Sequence, residues 1–146
     1  MSLFQAINTS ASGLTAEQLR MDVISNNIAN VNSTRTEQGG PYQRQRVIFT
    51  PREPQMVFDI PFVKPPITYD GKGVRVVGIE NDPSPFRIEY RPEHPDADKD
   101  GYVRFPNVNV VLEMADMITA TRAYEANVAA MRSAKEMMMR SLDIGK

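Results

Sequence analysis

The sequence of 146 residues contains no cysteine and no tryptophan, and it has one histidine, His94. Without cysteine the chain forms no disulfide, thiolate nucleophile or cysteine zinc site. The formal net charge of −1 removes the basic excess that nucleic-acid binding requires. No stretch approaches the roughly 18 apolar residues of a membrane span. We therefore expect neither nucleic acid as a partner nor a transmembrane segment.

The N-terminus also lacks the features of a secretory signal. It has no basic segment, no apolar run and no small-residue cleavage site, all of which a cleaved signal peptide contains. By these rules the protein is synthesised in the cytoplasm and stays there, unless an export machine of another kind recognises it.

Proline is absent from both ends of the chain. All 11 prolines lie between Pro41 and Pro106, and proline interrupts helix interiors. The partition predicts one discontinuous helical domain from residues 1–34 and 107–146, and a smaller, proline-rich β domain from residues 35–106. The fold class is therefore predicted to be α+β.

Heptad spacing of apolar residues supports two long helices at the ends. The pattern is typical of a coiled coil and predicts an antiparallel pair. Ser2–Gln5 fits a capping box that would start the first helix, and Gly13 favours a kink or break near residues 12–15. Asn107 or Asn109 is expected to cap the second helix. The predicted packing and assembly residues are Leu3, Ile7, Leu14, Met21, Ile24, Ile28, Val31, Val110, Met114, Met117, Tyr124, Val128, Met131, Met138 and Leu142.

The middle of the chain is enriched in β-branched and aromatic residues. Residues 43–50, 73–80 and 86–91 are predicted strands, and proline-rich connections separate them. We expect three to five short strands with a modest core.

One acidic run partly matches a calcium-binding loop. Asp96, Asp98, Asp100 and Gly101 occupy the first positions of a calcium-binding loop. The twelfth position is Asn107 rather than the required glutamate, and a solvated Asp–Gly turn explains the run equally well. We favour the turn and keep a metal site as the weaker candidate. His94 is interpreted as a surface-loop residue, no catalytic constellation is recognised, and we expect neither an enzyme nor a cofactor.

Several motifs resemble a known family. Residues 11–14, Asp22 and an asparagine run resemble the N-terminal signature of flagellar rod and hook proteins. The similarity extends over nearly the whole chain through residues 39–44, 73–76, 94–98, 101–109, 113–118, 122–128 and 142–146. One departure is Thr34–Thr36, where the family usually has a glycine–aromatic step. The family asparagines are Asn26, Asn27, Asn30 and Asn32; they either hydrogen-bond across packed helices or end the first helix.

The resemblance implies a structural subunit of the bacterial flagellar basal-body rod. It implies export by the flagellar type III apparatus without a cleaved signal, and assembly into a hollow shaft that crosses the periplasm and transmits torque for motility. The terminal helices would form the inner tube and the middle an outer domain. Implied partners are further copies, the other proximal-rod proteins, the distal-rod protein, the membrane-ring base and the export apparatus. A coiled-coil adaptor or chaperone of a secretion system and a calcium-binding module stay open as alternatives.

Overall fold

The computed structural model describes residues 3–37, 39–52 and 73–144. Its elements in chain order are α1 (Leu3–Ala29), β1 (Gln45–Pro51), β2 (Val74–Asn81), β3 (Arg87–Tyr90), β4 (Tyr102–Phe105) and α2 (Val110–Ile144). The helices are the first and last elements of the chain, and two small antiparallel sheets lie between them in sequence. This arrangement confirms the predicted α+β class. The predicted capping box includes Ser2, which lies outside the described residues.

Helix α1 is continuous over 27 residues, which corresponds to about 40 Å. The expected break near residues 12–15 is absent. Gly13 has a packing role instead: a Cβ at this position would lie 2.9 Å from Nδ2 of Asn127 on α2. Since that distance is too short for a carbon, the glycine allows the two helices to approach each other closely.

Helix α2 is 35 residues long, or about 52 Å. Its N-cap is Asn109, one of the two predicted candidates. The Asn109 Oδ1 accepts hydrogen bonds from the backbone N–H groups of Val111 and Leu112 at 3.0 and 3.4 Å. These bonds satisfy two of the donors that the first turn of a helix leaves free.

The two helices pack as the predicted antiparallel pair. Asn27 near the end of α1 meets Glu113 at the start of α2, whereas Gly13 nearer the start of α1 meets Asn127. Few apolar side chains of the described helices are buried; they are Ala16, Val23 and Ile24 on α1 and Ala120 and Ala134 on α2.

The contact face of α2 differs from the predicted one. We expected Met114 and Leu142 to line the seam with Val128, but Met114 and Leu142 are exposed. A row seven residues apart takes their place, namely Glu113, Ala120, Asn127 and Ala134, of which all but the half-buried Asn127 are buried. Ala120 and Ala134 are small enough for the helices to approach closely, whereas Glu113 and Asn127 are polar and meet Asn27 and Gly13 of α1.

The predicted strands correspond to β1, β2 and β3. Strands β1 and β2 pair antiparallel, from Gln45 opposite Asn81 to Pro51 opposite Val74, with an irregularity between Ile48 and Phe49. Both strands contact α1, and the Val74 N–H donates to the Oγ of Ser12 on that helix at 3.0 Å. This bond anchors the sheet to the helix pair.

Strand β4 was not predicted. It pairs antiparallel with β3, with Arg87 opposite Phe105 and Tyr90 opposite Tyr102. The ring of buried Phe105 lies under the guanidinium carbons of Arg87 and Arg91, 5.2 and 5.1 Å from the ring centre. Cation–π contacts of this kind let arginine cover an apolar side chain.

Candidate functional site

A buried polar cluster lies where α1 ends, β1 begins and α2 begins. Asn27 on α1 is 1% exposed, and its side-chain amide makes four hydrogen bonds. Its Nδ2 donates to the Gln45 carbonyl at 2.8 Å and to Glu113 Oε2 at 3.0 Å. Its Oδ1 accepts from the Gln45 N–H at 3.0 Å and the Tyr42 hydroxyl at 2.9 Å. The amide therefore uses its two donor and two acceptor positions and pairs with Gln45 as a neighbouring strand would.

Arg44, just before β1, makes the main ionic contacts of the cluster. Its Nε donates to Glu113 Oε1 at 2.5 Å, its Nη1 to Asp82 at 3.1 Å and its Nη2 to Asp116 at 3.4 Å. Each guanidinium nitrogen thus meets a different carboxylate. The Arg44 backbone N–H also donates to Asn107 Oδ1 at 2.8 Å. We call Asn27, Arg44, Asp82, Glu113 and Asp116 the junction cluster.

Glu113 is the most completely buried member of the junction cluster, at 0% exposure. A buried carboxylate is unfavourable unless it is paired and hydrogen-bonded. Glu113 has Arg44 on one oxygen and Asn27 on the other. It also lies in the first turn of α2, where the helix dipole favours negative charge. Two side-chain contacts and the position at the start of the helix therefore offset the cost of burying this side chain.

The pKa values of three groups in and beside the cluster are shifted; they are Asp82, Arg44 and Tyr42. Hydrogen bonds from the Ser84 hydroxyl and N–H, and then the bond from Arg44, lower the pKa of Asp82 to about 2. Burial would lower the pKa of Arg44, but the bonds to Glu113 and Asp82 outweigh it and raise that pKa. Burial, followed by the negative charge of Glu113, raises the pKa of the Tyr42 hydroxyl. All three shifts favour the protonation states present near neutral pH.

The family asparagines divide between the two roles considered for them. Asn27 bonds across the packed elements. Asn30 acts locally, since its backbone N–H and its Nδ2 both donate to the Asn26 carbonyl, at 3.1 and 3.0 Å, and continue the end of α1. The Nδ2 of Asn26 also reaches the Tyr42 hydroxyl at 3.5 Å. Asn32 is exposed.

The acidic run forms a turn with separate contacts. Asp96 accepts a hydrogen bond from the Thr34 hydroxyl at 2.7 Å. The Gly101 N–H donates to the Asp98 carbonyl at 2.8 Å, and Gly101 adopts a φ of 81°, which favours glycine. Asp100 is exposed. Across residues 3–37, 39–52 and 73–144, no group of three or more acidic, histidine or cysteine side chains is placed to hold a metal ion.

The predicted packing residues fall into three groups. Ile24 is buried. Half-buried members are Ile7, Leu14, Met21, Ile28, Val31, Met117, Tyr124, Val128, Met131 and Met138; exposed members are Val110, Met114 and Leu142. The side chain of Leu3 lies outside the described part.

An apolar row remains uncovered on α2. Val111, Met114 and Ile118 are 75%, 55% and 54% exposed and follow one another at intervals of three and four residues. They lie on the face opposite Ala120, which packs toward α1. We call these three residues the outward stripe. Among the described helices, none combines the length and apolar character that a membrane crossing needs.

Comparison with known proteins identifies the class first. The family "Flagella basal body rod protein" matches residues 7–35, and the family "Flagellar basal body rod FlgEFG protein C-terminal" matches residues 99–144. The matched regions contain much of α1 and α2. They define a flagellar basal-body rod protein.

Full-length relatives identify the particular family. The flagellar basal-body rod protein FlgC of Borreliella burgdorferi is 52% identical over 99% of this chain and 98% of its own length. Those of Bacillus subtilis and Aquifex aeolicus are 41% and 38% identical, and each match covers at least 99% of both chains. The chain belongs to the FlgC family of flagellar basal-body rod proteins. It is a structural component of the basal-body rod and not an enzyme.

Asn27 was singled out from the sequence as a family asparagine, but the other members of the junction cluster were not predicted as site residues. Arg44 and Glu113 are 69 residues apart, and in a chain of balanced charge neither stands out. One signal was available: Glu113 lies seven residues before Ala120 and fourteen before Asn127. A charged residue on the same helix face as small packing residues indicates that the charge is buried beside a side chain that pairs with it.

Proposed function

We propose that the chain is a subunit of the proximal segment of the rod. It is made in the cytoplasm, exported by the flagellar type III apparatus without a cleaved signal, and assembled into the hollow shaft that crosses the periplasm and transmits torque. Support comes from membership of the FlgC family.

The outward stripe is the observation that carries the assembly proposal. Three apolar side chains more than half exposed on one helix face are unfavourable in water. Covering them with a neighbouring subunit would contribute roughly 1 kcal/mol each. A surface that continues along a helix and differs from the face used within the chain suits a heterologous contact, which extends a tube rather than closing a dimer. The same geometry supports self-association in the rod.

The helices and strands suit different positions in the shaft. Residues 1–34 and 107–146 would form the inner, coiled-coil-like layer, and residues 35–106 the outer domain. In support, α1 and α2 pack antiparallel, and β1 and β2 contact α1, leaving the outward stripe of α2 free for a neighbour. Further partners in this proposal are the other proximal-rod proteins, the distal-rod protein, the membrane-ring base and the export apparatus.

Substitution of the outward stripe tests the proposal. Ile118→Asp places a charge on the exposed stripe, so it should leave the fold intact but prevent incorporation into the rod and abolish swimming. Ile118→Leu, which keeps an apolar side chain at the same position, should assemble. The measurements are motility of cells carrying only the variant, and the amount of this chain in purified basal bodies.

Two outcomes would contradict the proposal. One is normal swimming and incorporation of Ile118→Asp. The other is a wild-type chain that remains soluble with export substrates and never enters basal bodies, as an adaptor or chaperone would. Tyr124→Asp and Val128→Asp should also block incorporation, but both side chains are half-buried. Ile118 therefore separates assembly from folding more cleanly.

A further inference from the structure

The junction cluster joins segments that are remote in sequence. It contains Asn27 from the end of α1, Arg44 from the residues before β1, Asp82 from the residues after β2, and Glu113 and Asp116 from the start of α2. Separations along the chain reach 86 residues for Asn27 and Glu113, and 38 for Arg44 and Asp82. The cluster therefore forms only when the helix pair and the β1–β2 sheet are both in place.

Partial docking would leave buried polar groups without partners. If the sheet separated while the helices stayed together, Glu113 would lose Arg44 and Asn27 would lose Gln45. If the helices separated, Asn27 would lose Glu113. Leaving a buried carboxylate unpaired is strongly unfavourable, because it was taken out of water for a partner that is no longer there.

Apolar packing beside the cluster is divided unevenly between the two helices. On α1 the buried apolar side chains nearest Asn27 are Val23 and Ile24, whereas on α2 the buried apolar position nearest Glu113 is Ala120, which removes little apolar surface from water. The contacts of Arg44 with Glu113 and Asp116 therefore join β1 to the part of α2 that offers little apolar surface.

We propose that the junction cluster is an interlock that makes closure of the helix pair and docking of the β1–β2 sheet a single cooperative event. This inference is independent of the rod proposal and goes beyond it. A subunit with such an interlock is either open in both parts or closed in both, and when closed it holds the helices and the sheet at one fixed angle.

Hydrogen exchange of the full-length chain tests the interlock. In the wild type, amides of β1 and of the first half of α2 should open together, with protection that agrees within about threefold. In Arg44→Met, β1 should lose about 100-fold in protection and more than α2 does, because Glu113 is then buried without its cation. The double variant Arg44→Met with Glu113→Met should regain most of that loss, because no unpaired charge remains.

Controls separate the interlock from simple packing. Arg46 and Glu80 form an exposed pair at 3.7 Å on the same sheet, and Arg46→Met should change protection by less than about threefold. If Arg44→Met does not fold, Arg44→Lys retains a charge with fewer donors and should show an intermediate loss. Folding of the double variant beside an unfolded Arg44→Met would also support the proposal.

Three results would overturn the interlock. The first is independent exchange of β1 and α2 in the wild type. The second is a double variant whose loss of protection equals the sum of the losses in the two single variants. Arg44 would then contribute only packing and not a charge pair with Glu113. The third is absence of protection in both elements of the wild-type chain, because the cluster would then not close within one chain.

Discussion

Asn27→Asp is the substitution that tests the junction cluster with the least change of shape. Aspartate replaces only the Nδ2 group with oxygen, so the Oδ1 contacts with Gln45 and Tyr42 are retained. The hydrogen bonds to the Gln45 carbonyl and to Glu113 are lost. In the variant, two carboxylate oxygens would lie at the former hydrogen-bond distance of 3.0 Å.

The expected destabilisation follows from these two contacts. Loss of a neutral hydrogen bond is worth roughly 1 kcal/mol, and loss of a bond to a charged group roughly 2 kcal/mol. Repulsion between the carboxylates adds to this sum. We therefore expect a loss of at least about 3 kcal/mol, or roughly 10 °C in the melting temperature for a chain of this size. The loss should be smaller at acid pH, where one carboxyl of the pair takes up a proton.

The assay is denaturation of the purified full chain, followed by circular dichroism with urea and with heat. Asn32→Asp is the matched control, since Asn32 belongs to the same motif and is exposed. Its effect should stay under about 1 kcal/mol, including any unfavourable contact with the helix dipole. If Asn27→Asp were no more destabilising than Asn32→Asp, the stabilising role of the Asn27 amide would be refuted.

Two further predictions concern the β1–β2 sheet. Gly73 has a φ of 89°, and a Cβ there would meet Ser12 Oγ, whereas Gly78 has open space around it. In thermal denaturation, Gly73→Ala should therefore lower the free energy of unfolding by more than about 1 kcal/mol, and Gly78→Ala by much less. The pKa of Asp82 is lowered to about 2 from 3.8, so ionised Asp82 contributes stability that is present above about pH 4 and lost as the pH falls toward 2. Asp82→Asn should remove that part of the acid destabilisation in urea titrations, and an unchanged difference between pH 5 and pH 3 would contradict it.

The helices were predictable because their signals are local. Absence of proline and repeated apolar spacing placed α1 and α2 within a few residues of their ends, and Asn109 follows the ordinary preference for helix caps. Strand β4 was missed because only four residues, Tyr102–Phe105, separate the Gly101 turn from Pro106. A run that short has too few alternations to distinguish it from a loop.

The helix contact face was predicted only in part. Periodicity assigns the largest apolar side chains to the interior, an assumption that suits a helix surrounded by a core. Here α2 packs against α1 on one side only, so Ala120 takes the closest position while Met114 and Ile118 face outward. Apolar residues of α2 also outnumber the positions of a single seam, and this excess, visible in the sequence, indicates further partners.

The junction cluster was beyond prediction from one sequence. Each of its ion pairs joins elements whose relative placement is set by packing, and charge balance alone does not select Arg44 from the other basic residues. Asn27 was noted as a family residue, yet its four hydrogen bonds depend on where β1 lies. Long-range polar contacts of this kind emerge only from the folded chain.

A density map of the assembled basal body, with this chain traced, would test directly whether the chain is a rod subunit joined through its outward stripe. We expect the chain in the rod, with α1 and α2 on the side of the channel and the outward stripe of Val111, Met114 and Ile118 in contact with a neighbouring subunit. Absence of the chain from the rod, or a stripe that faces open solvent within it, would refute this assignment.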